Sequence, residues 1–72
     1  MEATILKTGA LLVQGVTPET ASRAVRKLDE SFPQIKGRWE ISYRHPDGLA
    51  NVLVRKPLDG SKIPAGILSA FQ

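Results

Sequence analysis

The sequence predicts a single small α+β domain, in the order β-α-β-β with a short C-terminal helix, in which the helix packs on one face of a three-stranded sheet. Three observations carry this prediction. Ala21, Val25, Leu28 and Phe32 recur at spacings that place them on one stripe of an α-helix. Residues 38–44 alternate between apolar and polar, as a half-buried strand does. A His45-Pro46-Asp47-Gly48 turn then separates that stretch from a second extended run, giving a β-hairpin. At 72 residues the chain has room for one core and one domain.

The elements follow in order. Ala3–Lys7 is rich in aliphatic and β-branched residues and reads as a strand. Gly9 then marks a bend or bulge, after which Leu11-Leu12-Val13 either continues the strand or packs as a loop. Thr17-Pro18-Glu19 starts the helix, with a capping hydroxyl, a proline at the first helical position and an acid in the first turn. Thr20 stands where a full capping box would carry Glu or Gln. Ser22, Arg23, Arg26, Lys27, Asp29 and Glu30 fall largely off the stripe and are expected in water, with Glu19–Arg23 and Arg26–Glu30 spaced as weak ion pairs. Pro33 ends the helix.

After a basic connector, Gln34 to Gly37, the strand around residues 38–44 turns Trp39, Ile41 and Tyr43 toward the core. In the returning arm, Leu49 to Lys56, Ala50, Val52 and Val54 face one way and Asn51, Leu53 and Arg55 the other. Pro57 and Asp59-Gly60 stop that strand. Ile63, Ile67, Leu68 and Phe71 form the apolar stripe of the terminal helix, which is expected to start at Pro64.

Composition narrows the function. Without cysteine there are no disulfides and no thiolate metal ligands, which fits an intracellular chain better than a secreted scaffold. Met1-Glu2-Ala3-Thr4 lacks the features of a signal peptide, and no apolar run approaches a membrane span, so the expected location is the cytoplasm, with no membrane partner. His45 is the only histidine, lies in a turn, and has no partner placed beside it by the sequence. There is no zinc-protease, nucleophile-elbow or phosphate-loop motif, and one histidine with dispersed acids cannot close a metal shell. The chain is therefore expected to be no enzyme and to hold no cofactor and no metal.

Ten Lys and Arg against seven Asp and Glu leave a formal charge of +3, and where the cations fall matters more than their sum. Arg38, Ser42 and Arg44 project from the sheet face opposite Trp39, Arg55 on the neighbouring strand extends that surface, and Lys56 follows it. This is a candidate anion-facing patch. The same positions also suit the plain role of a polar outer sheet face that resists edge-to-edge association. Arg23, Arg26 and Lys27 form a second candidate cluster on the outer side of the helix.

The opening strand Glu2-Ala3-Thr4-Ile5-Leu6-Lys7-Thr8, the helix ending in Arg26-Lys27-Leu28 and Ser31-Phe32-Pro33, Gly37 before a strand carrying Tyr43, Leu49, and the late Ile67-Leu68 pair together resemble the DinI-like proteins. These are small modulators of the RecA filament in bacteria and phages. The resemblance implies a β-α-β-β-α fold with both helices on one sheet face, and binding to the RecA filament on single-stranded DNA to tune the SOS response. In one respect the chain departs from the family: the family's final helix is long and acidic, whereas Gly60 to Gln72 carries only Lys62 as a charged side chain.

Two functions stand as expectations. One is a non-enzymatic protein that binds a protein partner, the RecA filament by resemblance. The alternative is a small basic nucleic-acid-binding regulator of phage or plasmid type, with Arg38, Arg44, Arg55 and Lys56 on phosphates. The chain is expected as a monomer or a homodimer, and exposure of Leu11, Leu12 and Leu53 would mark a dimer surface.

Overall fold

The computed structural model describes residues 1–44 and 46–72. In chain order these form β1 (Glu2–Ile5), β2 (Leu11–Val16), α1 (Pro18–Ser31), a 3₁₀ turn over Pro33–Ile35, β3 (Trp39–Tyr43), β4 (Ala50–Val54) and a 3₁₀ turn over Ile67–Phe71. The strands make one antiparallel four-stranded sheet in the order β1-β2-β4-β3, not the three-stranded sheet expected from the sequence.

The additional strand comes from Gly9. Its φ of +89°, a region open to glycine, lets the chain reverse within Leu6–Ala10. Gly9 N donates to Leu6 O at 2.9 Å and Leu6 N to Ala10 O at 2.8 Å, so Ile5 lands opposite Leu11 and Glu2 opposite Gln14. What reads as one bent strand is thus a hairpin. A β-bulge between Val13 and Val16 then shifts the register, and Gly15 N, inside it, donates to Asn51 Oδ1 at 3.3 Å. The extra residue returns Val16 to the buried face opposite Ala50.

Thr17 Oγ1 accepts from Thr20 N at 3.1 Å, capping α1. The two threonine hydroxyls bond each other at 2.9 Å, in the place of a full capping box. Ala21, Ala24, Val25 and Leu28 are buried against the sheet, and Phe32 packs half-buried at the helix end. Ile35, inside the segment read as a basic connector, is fully buried, because the 3₁₀ turn after Pro33 folds it under the helix end.

The covered sheet face supplies Leu11, Val13, Val16, Ala50, Val52 and Val54 to the core, with Trp39 and Ile41 half-buried beside them. Burial of each large aliphatic side chain contributes about 1.5–3 kcal/mol. Tyr43, expected in this core, is 61% exposed at the far end of β3. Leu11 is buried, while Leu12 and Leu53, paired across β2 and β4 on the outer face, are only partly exposed.

The C-terminal helix expected from Pro64 is a five-residue 3₁₀ turn that begins after Gly66. Gly66 takes the left-handed conformation at φ +82°, which breaks any helix running through from Pro64. Ile67, Ala70 and Phe71 close the core against α1, and Leu68 points outward. Among the described residues, no helix is long and apolar enough to cross a membrane.

Candidate functional site: a basic cleft at one end of the sheet

The register sets Ile5, Leu11, Val54 and Trp39 in one row across the sheet. Three segments leave the sheet beyond that row: the β1–β2 turn with Lys7, Thr8 and Gly9, the approach to β3 with Arg38, and the exit from β4 with Arg55 and Lys56. The chain after Pro57 returns to the same place with Gly60, Ser61, Lys62 and Ile63. Together these form a cleft of about 480 Å³ walled by Lys7, Lys56 and Lys62, with Ile5 and Ile63 as its apolar surface. A second depression of about 180 Å³ adjoins it, bordered by Thr8, Arg38, Arg55 and Lys56.

Hydrogen bonds set Arg38, Arg55 and Lys56 side by side. Arg55 N donates to Arg38 O at 2.8 Å, extending the β3–β4 pairing one step past the strands. Arg38 Nε donates to Lys56 O at 2.8 Å. The Lys56 stem lies over the hairpin turn so closely that a Cβ on Gly9 would stand 3.2 Å from Lys56 Cδ. On the opposite wall, Gly60 N donates to Pro57 O and Ser61 N to Asp59 Oδ1 at 2.8 Å.

The charges are unequally partnered. Arg55 meets Glu40 Oε1 at 3.1 Å. Among the described residues, Lys7, Arg38, Lys56 and Lys62 have no carboxylate within ion-pair distance. Hydrogen bonds from the Ser61 side chain and backbone hold the Asp59 carboxyl below its ordinary value, so it stands as an anion in the turn before Ser61, outside ion-pair distance of these cations. Among the described residues, the cleft is thus lined by three ammonium groups that close no ion pair, edged by the hydroxyls of Thr8 and Ser61.

Of the residues singled out from sequence, Arg38, Arg55 and Lys56 come together here. Arg44 does not join them: it leaves β3 at the opposite end of the sheet and pairs with Asp47 Oδ2 at 3.0 Å. Arg23, Arg26 and Lys27 are exposed on α1, and neither expected helical ion pair closes within 4 Å. Asp29, expected in water, is instead half-buried. Its Oδ1 accepts from Gly37 N at 2.8 Å and Trp39 Nε1 at 2.9 Å, and these two bonds hold its carboxyl below the ordinary range. His45 lies outside the described residues, while Asp47 Oδ1 caps Leu49 N at 3.0 Å within the turn expected there.

Lys7 and Lys62 were missed because each looks isolated in the sequence. Reading Gly9 as a hairpin turn would have carried Lys7 to the row of strand ends, whereas nothing local announces that the loop after Pro57 brings Lys62 back. Among the described residues, those lining the cleft include no carboxylate to act as a base, and no three metal-ligating side chains converge. The arrangement can attract and hold an anion. No family model, curated protein or solved structure matches the chain.

Proposed function

We propose that the chain is a non-enzymatic nucleic-acid-binding protein that takes hold of the phosphate backbone through the basic end of its sheet. The observation that carries this reading is the convergence of Lys7, Arg38, Lys56 and Lys62 from separate segments, with no carboxylate of the described residues within ion-pair distance of them. Phosphate contacts by such cations release counterions, so affinity falls with salt in proportion to the phosphates neutralised. Fluorescence anisotropy with a labelled oligonucleotide, between about 50 and about 200 mM salt, should give a log–log slope of about −3, the value for three to four contacts. Absence of binding at the lower salt, or affinity indifferent to salt, would sink the reading.

A second reading, binding of the RecA filament as the DinI-like resemblance implies, is favoured by β1. All four of its residues are exposed and one of its edges is unpaired, which offers a protein partner a strand to extend. Binding to a preformed filament that survives physiological salt, without binding to naked DNA, would select this second reading over the first.

A further inference from the structure

We infer that the cleft between Lys7, Lys56 and Lys62 receives one unpaired nucleotide of a single strand, with its base against Ile5 and Ile63 and its phosphate among the ammonium groups. This rests on the nucleic-acid reading above and adds a strand preference to it. Three features of the cleft support it.

The cleft is amphipathic. Ile5 shares a sheet face with Leu11 and Val54, yet it is 61% exposed and opens onto the cleft beside Ile63. A ligand for this cavity therefore needs an apolar face as well as negative charge, and a nucleotide has both.

The cleft is also concave, and its volume of about 480 Å³ falls in the range of sites that enclose a small ligand. A duplex turns its bases inward and offers only a convex rim of phosphates, so it can touch the lysines but cannot enter. An unpaired base can turn out of its strand and go in.

Among the described residues, the lining carries no aromatic ring and no side-chain carboxylate or amide. Base contact is thus through aliphatic packing, and hydrogen-bond readout of base identity comes from no such group. The neutral polar side chains left beside a base are the hydroxyls of Thr8 and Ser61, which donate and accept alike, so the expected ligand is a single strand with little preference for sequence.

The test is a titration of three labelled oligonucleotides of one length, a single strand, the same strand with abasic sites, and the duplex, with a free mononucleotide as competitor. The single strand should bind about tenfold more tightly than the duplex, and abasic sites should remove that advantage. Ile5→Ser, at a largely exposed position, should bring single-strand affinity down to the abasic level while leaving affinity for the duplex and the abasic strand unchanged, whereas a loosened β1 would lower all three. Equal affinity for all three oligonucleotides would overturn the inference while leaving phosphate binding intact, and binding to none would remove both. A mononucleotide that displaces the strand at equal concentration would overturn it in favour of a free-nucleotide site.

Discussion

One oxygen of Asp29 fastens the last turns of the helix to Trp39 at the start of β3, accepting the indole Nε1–H at 2.9 Å and the backbone N–H of Gly37 at 2.8 Å. The bond spans the corner where the chain passes from helix to sheet. Arg38 lies between the two donors, so the same contact sets where that arginine enters the basic end.

Asp29→Ala should remove the acceptor of both bonds at a cost of about 2 kcal/mol, because a charged acceptor is lost and the indole N–H is left half-buried. In a chain of this size that lowers the melting temperature by roughly 10 °C. Asp29→Asn keeps an acceptor oxygen and should recover part of the loss. Circular dichroism gives the stability, and the emission of the only tryptophan reports the corner directly. A melting temperature unchanged in Asp29→Ala would show that the contact does not hold the corner.

The same carboxylate gives stability an acid limb. Its folded pKa lies below the ordinary carboxylate value, so its contribution is complete above the unfolded pKa of about 3.9 and is lost as pH falls through the folded value. Thermal stability should therefore hold down to about pH 5 and decline below about pH 4, with a shallower decline in Asp29→Ala. Asp59 is shifted in the same direction but is exposed, and screening leaves its share small. An identical acid limb in Asp29→Ala and the parent would rule out this origin.

Gly9→Ala should cost about 1–2 kcal/mol from its positive φ alone. It should also weaken oligonucleotide binding measured well below the melting temperature, because the new Cβ crowds the Lys56 stem. A loss of stability with no change in binding would show that the stem can move aside freely.

Lys56→Gln should make the salt slope of binding shallower by about 1 unit, one phosphate contact fewer. Arg44→Gln should alter neither slope nor affinity, because Arg44 lies at the other end of the sheet against Asp47. Equal effects from the two substitutions would mean that the whole sheet, and not its basic end, meets the nucleic acid.

The helix and the β3–β4 hairpin were legible because their signals are local: a capping threonine before proline, a stripe at helical spacing, and strict alternation on both arms of the hairpin. What escaped depended on conformation that residue identity leaves open. Gly9 is compatible with a bulge and with a tight turn, and only pairing Ile5 with Leu11 distinguishes them. Tyr43 has the register of a core residue, but it lies at the end of the strand, where burial fades. Ile63, Ile67, Leu68 and Phe71 fit a helical stripe, yet Gly66 breaks it. Only part of the candidate site was visible, for a related reason. Arg38, Arg55 and Lys56 flank recognisable strands, while Lys7 and Lys62 are brought in by a turn and a loop.

The two walls of the cleft are anchored very differently. Lys56 follows a central strand whose inward side chains are sealed in the core, whereas Ile5 and Lys7 sit on and just beyond β1, where every residue is exposed and only the ladder to β2 holds the strand. An arm with so few buried contacts opens at a smaller free energy than the rest of the domain. A ligand that bridges both walls must close the arm, so affinity and arm stability are linked quantities, and any change that loosens the arm reduces apparent affinity by the fraction of molecules in which it is open. In amide exchange this linkage would slow the exchange of β1 hydrogens when the cleft is filled.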